Sequence, residues 1–339
     1  MINYEGSKIL IIGGTGTLGH YLVRYLLTQN PKVIRIMSRD EYKQFEMQRT
    51  FADQQHKLRF LIGDVRDGQR LHRAMEDVDY VFHLAAMKHV PFCEYNPFEA
   101  VQTNIIGTQN MIQAAIQNGV KKVLFTSTDK AIAPTNTYGA SKLMAERLIS
   151  AAEYQKGPKQ TVFASVRFGN VMGSRGSVIP LFKKQILENH RVTVTDLTMT
   201  RYMMTASEAM KLMLKANELS DGGEVFVLKM PTILLRDLVD VVIEEVKSAY
   251  QISDAIEVEE IGLRPGEKRY EELMTAEEKL TAWELPDMFI IPSAFKEEKS
   301  DRPYPNAKRV VNREVSSHQE QPISRETLRH WIIEEGLIK

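Results

Sequence analysis

Tyr138 and Lys142 stand four residues apart in the stretch STDKAIAPTNTYGASK, with Thr128, Asp129 and Lys130 a short way upstream. At that spacing a tyrosine and a lysine share one face of a helix. An ammonium and an oxidised nicotinamide beside a phenol stabilise its phenolate, so this pair could take the proton of an alcohol while hydride leaves the same carbon. Thr128 is placed to hydrogen-bond a hydroxyl at the reacting carbon. A simple dehydrogenase or epimerase needs no more than these three groups. Asp129-Lys130 adds an acid and a base, which permits elimination of water from the oxidised substrate. Each feature has a plainer explanation: Y-x-x-x-K occurs by chance, Asp129-Lys130 can be a surface turn, and Thr128 a strand-end hydroxyl. Their clustering, in a chain that also carries a glycine-rich turn, favours chemistry.

That turn is Gly13-Gly14-Thr15-Gly16-Thr17-Leu18-Gly19, with Gly13, Gly16 and Gly19 spaced G-x-x-G-x-x-G between an apolar strand and an amphipathic helix. Glycines allow the tight turn and close backbone approach, and the helix N-terminus offers free N–H groups and positive dipole to a pyrophosphate. After the second strand, where NAD-selective folds place an acid on the ribose, stand Ser38-Arg39-Asp40, with Lys43 a turn later. A hydroxyl and cations suit a 2′-phosphate, so NADP is the expected cofactor, although Asp40 leaves NAD open. Asp64 in GDVRD would suit the adenine amino group, or it forms a turn. Val65 and Ala85 are counted with the same pocket.

Elements that could position these groups follow from apolar runs. Strands are expected at 8–12, 32–37, 58–63, 79–85, 121–127 and 161–168, alternating with helices at Leu18–Gln29, Asp40–Asp53, Pro97–Asn118 and Asn136–Gln155. Short buried strands alternating with helices predict an α/β fold, a doubly wound parallel sheet with a smaller C-terminal substrate-binding lobe. The expected division is residues 1–172 for the cofactor and 173–339 mainly for the substrate, with 199–235 packing back onto the first part. The charged stretch Lys296–Arg313 reads as a solvated surface segment.

Composition bounds the partners. Lys plus Arg and Asp plus Glu are 44 each, so net charge recruits neither nucleic acid nor an anionic membrane. One cysteine, Cys93, excludes an internal disulfide and fits a reducing compartment, and no cysteine cluster suggests a metal. The apolar run at the N-terminus is too short to span a bilayer, so a soluble cytoplasmic protein is expected.

Taken together, GGTGTLG, SRDEYKQ, GDVRD, AAMKHVP, TNIIGT, STDKAIAPTNTYGASK, VRFGNVMGSRGSVIPLF and LRPGEK resemble the inverting UDP-N-acetylglucosamine 4,6-dehydratases, in the extended short-chain dehydrogenase/reductase family. The likeness is greatest to the pseudaminic acid and capsule-synthesis types. It implies a Rossmann-type sheet, NADP, UDP-N-acetylglucosamine as substrate and a homo-oligomer, commonly a hexamer; the long membrane-embedded N-terminal region of some related dehydratases is not expected here. By position it implies Asp129 as acid, Lys130 as elimination base, and Tyr138 with Lys142 for oxidation. It assigns Asn170 and the stretch from Val178 through Pro180 to Phe182 to the UDP, Arg201 and Arg264 to the diphosphate, Glu267 to the substrate, and Lys88 and His89 to a loop beside the sugar. Arginine forks suit a diphosphate. The implied reaction is 4-oxidation, 5,6-elimination and hydride return to carbon 6 with inversion at carbon 5. Three alternatives stay open: release of a 5,6-ene sugar, a UDP-N-acetylhexosamine 4-epimerase, and a non-catalytic NADP-binding regulator.

Overall fold

The computed structural model describes residues 2–174, 176–294, 304–311 and 315–338. Strand β1 (Lys8–Ile12) sends alternate side chains to opposite faces. Ile9 and Ile11 pack with Leu22, Val23 and Leu26 of the helix Thr17–Thr28, whereas Leu10 and Ile12 pack with Leu71, Met75 and Met111 on the other side. A strand apolar on both faces must be covered by helices on both, and the next strands follow the same rule. They are β2 (Val33–Ser38), β3 (Leu58–Ile62), β4 (Tyr80–His83), β5 (Lys122–Thr126) and β6 (Val162–Arg167). All six pair in parallel, in the order β3-β2-β1-β4-β5-β6. The order reverses between β1 and β4, and in such sheets the crevice for a ligand opens at the carboxyl ends of those strands.

The remaining strands are β7 (Asn170–Val171), β8 (Arg191–Val194), β9 (Thr200–Met204), β10 (Val225–Leu228), β11 (Thr232–Leu234), β12 (Glu257–Glu260), β13 (Trp283–Glu284), β14 (Met288–Ile291) and β15 (Lys308–Arg309). Strand β10 adds to β6 in parallel, and β14, β13 and β15 follow antiparallel, giving ten strands in one sheet. Strands β11, β9 and β7 form a small second sheet, and β12 pairs with β8. A third core, around Phe182, Ile186, Leu238 and Val242, lies between the helices Val178–Asn189 and Leu235–Tyr250.

The α/β class and the six leading strands are as expected from sequence; several details are not. Strand β10 lies within the 199–235 segment expected to pack back onto the first part, while β13, β14 and β15, beyond that segment, extend the same sheet. Part of Lys296–Arg313 lies outside the described residues, but the described part is no free surface segment: Tyr304 and Ala307 are buried and β15 pairs with β13. Asp40 does not begin a helix to Asp53. It caps the helix Glu41–Thr50 by accepting from the Lys43 N–H, and a 3-10 turn follows at Ala52–Lys57. The helix expected over Pro97–Asn118 contains a π-helical turn at Val101–Ile106.

Candidate active site

One cleft of about 910 Å³ runs from the carboxyl end of β1 to the second small sheet. Of the residues singled out from sequence, all line it except Asp64, Asp129 and Pro180. Asp64 turns sideways to Arg66, at 2.7 Å, and to Arg39, at 3.6 Å, which together hold its carboxyl below the usual range against the effect of burial. Pro180 is on the exposed side of its helix, where a 3.6-residue period takes it away from Ile179 and Phe182. Asp129 is buried just beneath the cleft wall rather than in it.

The glycine turn meets a steric demand at each end. Gly13 has φ +80°, and a Cβ there would lie 2.7 Å from the Ala85 nitrogen. Gly16, with φ −74°, would place a Cβ 3.2 Å from the Gly13 oxygen, a tight contact that asks the turn to give by a few tenths of an ångström. As N-cap of Thr17–Thr28, Gly16 provides no side-chain cap, and no acid occupies the first turn, so this helix end keeps its affinity for an anion. Gly16→Val is expected to fold with a small loss of melting temperature yet lose dinucleotide binding. Native occupancy in a binding titration would show that no ligand approaches this turn.

The groups that the sequence offers for chemistry come from two elements. Strand β5 ends at Thr126, and Thr128 caps a 3-10 turn, Asp129–Ala131, that sets Asp129 inward and Lys130 toward the cleft. Thr128 Oγ1 donates to Asp129 Oδ1 at 2.9 Å, and Lys130 Nζ donates to the same oxygen at 3.0 Å. Asp129 Oδ2 is buried without a hydrogen-bond partner and faces Gly169, where a Cβ would come within 2.8 Å of it. Gly169 itself lines the cleft, so at that point no side chain stands between the Asp129 carboxylate and the cleft. Lys130 Nζ also lies 3.3 Å from Glu271 Oε1, and the two carboxylates together push its pKa above the usual lysine range in spite of burial.

Tyr138 and Lys142 begin the helix Thr137–Gln155, capped by Asn136. The sequence led us to expect the Lys142 ammonium beside the Tyr138 phenol. Instead, Lys142 Nζ donates to the Thr126 carbonyl at 2.5 Å and sits 4.0 Å above the Phe125 ring, and burial lowers its pKa to about 7. Burial raises Tyr138 to about 12, opposed by Thr128 and by the charge of Lys130. Lys130 is thus the cation that acts on the phenol in this arrangement.

Arg201 lies with most of its donors already engaged: its guanidinium donates to the carbonyls of Thr200, Lys268 and Arg269 and faces Glu267 at 3.6 Å. It staples the loop carrying Arg264 and Glu267 to β9. Lys88 and His89 sit opposite the turn after β7: Lys88 Nζ is 3.4 Å from Ser174 Oγ, and burial lowers the His89 pKa, with Lys88 adding to the effect.

Two residues at this site escaped the sequence analysis. Glu271, buried beside Lys130, sits at the far end of the same loop, and no motif in the sequence sets it apart. Asn104, in the π-helical turn, accepts from the Met87 N–H and donates to the Met87 carbonyl and to Ser141 Oγ. It ties the Lys88–His89 loop to the helix of Tyr138. A single-turn π insertion inside a helix is a recurrent device at functional sites, but it carries no sequence period.

Comparison with known proteins shows the family to which this fold belongs. The family described as "Polysaccharide biosynthesis protein" matches residues 9–293. An X-ray structure of Pen from Bacillus thuringiensis shares 56% identity and a TM-score of 0.92, covering 98% of this chain and 99% of that one. An uncharacterized membrane protein of Methanocaldococcus jannaschii is 52% identical over 85% of this chain and 86% of its own length. Among the described residues here, no helix is long and apolar enough to cross a membrane. A UDP-N-acetylglucosamine 4,6-dehydratase (inverting) of Campylobacter jejuni is 43% identical over 86% of this chain and 85% of its own, and a UDP-glucose 4-epimerase of Rickettsia conorii is 42% identical over 85% and 84%. The chain belongs to the polysaccharide biosynthesis protein family, among nucleotide-sugar enzymes of the dehydratase and epimerase type.

Proposed function

We propose that this protein is an NADP-dependent 4,6-dehydratase of UDP-N-acetylglucosamine that inverts carbon 5. The observation that carries the reading is the chain of contacts Thr128–Asp129–Lys130, with Tyr138 against it. An epimerase moves no proton at carbon 5 and has no use for a buried acid hydrogen-bonded to an amine.

Gly13 through Gly19 and the following helix end would hold the dinucleotide diphosphate. Arg39 and Lys43 would face a 2′-phosphate. Asp40 is spent on capping and on Lys43, at 2.6 Å, rather than offered to a ribose diol, which supports NADP. When bound, the nicotinamide supplies a hydride acceptor for carbon 4 and a donor for carbon 6. The charge-assisted contact from Arg39 is worth on the order of 1.5–3 kcal/mol, so NADP should bind at least about tenfold more tightly than NAD. A titration in which NAD binds more tightly would overturn the NADP assignment.

Tyr138 must be a phenolate to take the carbon 4 hydroxyl proton, with Thr128 aligning that hydroxyl. Burial holds the phenol at about 12, Lys130 opposes that rise, and the positive charge of a bound oxidised nicotinamide would lower it further. An ammonium holds no lone pair, so Lys130 becomes a base only by passing a proton to Asp129 across their 3.0 Å contact. The transfer changes no net charge and yields the two species elimination needs, a neutral amine and a carboxylic acid. Lys130 then takes the carbon 5 proton, that bonding pair forms the 5,6-double bond, and the carbon 6 oxygen leaves as water with the Asp129 proton. Both side chains return to their starting charge. Protonation of carbon 5 from the opposite face gives the inverted product.

The lobe after residue 173, with Asn170 at its edge, is assigned to the UDP-sugar, Arg264 and Glu267 forming the rim. Phe92, Tyr95 and Phe98 are 67%, 88% and 65% exposed on adjoining helices, which supports a homo-oligomer that covers them. With substrate deuterated at carbon 4, the label should appear in the carbon 6 methyl group of the product; label at carbon 4 of a 5,6-ene would show that the alkene is released instead.

A further inference from the structure

We propose that Glu271 is the positioning carboxylate of the elimination base: it fixes Lys130 against the cleft and stabilises the positive charge that Lys130 acquires on removing the carbon 5 proton. The inference rests on the dehydratase reading and assigns a role to a residue that the reaction above does not use.

The Lys130 ammonium lies between two carboxylates from different parts of the chain, Asp129 Oδ1 at 3.0 Å and Glu271 Oε1 at 3.3 Å. Their side chains are 0% and 4% exposed, so neither charge is dispersed by water. One carboxylate would suffice to neutralise one lysine. The second becomes useful once Asp129 has taken the lysine proton, for Glu271 is then the anion left beside a neutral amine about to turn cationic. Charge fixed in advance where charge will develop lowers a barrier without reorganisation. A base oriented by a third group behind it is the general form of such sites.

Glu271 is itself held from behind. Its N–H donates to Ser317 Oγ at 2.9 Å, and the Ser317 N–H donates to its carbonyl at 2.9 Å. Arg201 Nε is 3.7 Å from Oε1, farther than Lys130, and that guanidinium already serves three carbonyls. The charged groups facing Glu271 are therefore Lys130 and Asp129 from the 3-10 turn and Arg201 from β9, with Glu267 beyond Arg201 on its own loop. Burial raises the Glu271 pKa and Lys130 opposes the rise. The anion is needed, so its contribution should fade as pH falls through the Glu271 titration.

The test is Glu271→Gln in the full chain with bound NADP and UDP-N-acetylglucosamine, followed in single turnovers by NADPH absorbance and by deuterium exchange at carbon 5. Exchange should slow by about 10- to 100-fold, part of the whole effect of a general base, while carbon 4 oxidation stays within about threefold. The acid limb of the native exchange profile should disappear, the native rate falling toward that of the variant as pH drops. Glu271→Asp, which keeps the charge, should recover most of the exchange rate and guards against a folding defect in the first variant. Exchange in Glu271→Gln at the native rate and with the native acid limb would overturn the proposal, as would equal slowing of both steps. If the native protein exchanges nothing at carbon 5, the dehydratase reading has failed, and the proposal falls with its premise.

Discussion

Lys130→Ala is expected to stop the reaction after its first step. Hydride removal from carbon 4 remains possible, but elimination loses its base, for a fall of about 100- to 10,000-fold, and reduced cofactor accumulates. Tyr138→Phe should instead slow oxidation, so that neither NADPH absorbance nor deuterium at carbon 5 builds up. The two substitutions are not fully independent. Lys130 is the cation that opposes the rise of the Tyr138 pKa to about 12, so its removal pushes the phenol higher still. Oxidation in Lys130→Ala should therefore be moderately slower at neutral pH and recover toward alkaline pH. Single-turnover absorbance paired with NMR of the sugar checks both variants. Normal turnover by Lys130→Ala, or native exchange by Tyr138→Phe, would contradict these roles.

Arg167→Met is expected to cost the fold about 3–5 kcal/mol, the usual result of removing one partner from a buried ionic group. Arg167 closes β6, its side chain 0% exposed, and pairs with Glu146 at 2.6 Å and Glu278 at 3.0 Å. Glu146 is one helical turn beyond Lys142, and Glu278 belongs to the helix Ala276–Thr281 just past Glu271. The triad thus clamps the helix of Tyr138 to the segment carrying Glu271. Burial would raise the Glu278 pKa, yet the bonds from Arg167 hold it below the usual range. A depressed carboxylate contributes stability above its unfolded pKa and loses it as pH falls through the folded one. The difference between native and variant protein should therefore be full near pH 7 and shrink below about pH 4.3, the ordinary glutamate value. Urea denaturation at both pH values tests this, and an equal loss at both would mean that packing rather than charge carries the effect.

Much of the site was legible because its groups are local in sequence. The glycine turn with its helix, the Tyr138–Lys142 spacing and the Asp129–Lys130 pair each lie within one element and its cap, where period and type suffice. What escaped depends on the fold bringing distant residues together. The position of Glu271 beside Lys130 is set by a loop crossing from the far side of β9, and the turn of Lys142 toward Thr126 is set by the Phe125 ring beneath it. The helix Gly68–Met75 was not among the expected elements although Leu71, Ala74 and Met75 carry the i, i+3, i+4 spacing, because eight residues give that period little more than two turns. Strands β13 and β15, the second and the outermost at one side of the sheet, have two residues each and leave no alternation to read.

The most direct measurement is incubation of the protein and NADP with UDP-N-acetylglucosamine in deuterated water, with NMR of the nucleotide sugar formed. The account predicts a 4-keto-6-deoxy sugar with a carbon 6 methyl group, deuterium at carbon 5 and the inverted configuration there. Formation of UDP-N-acetylgalactosamine with hydrogen retained at carbon 5, or no conversion at all, would contradict it.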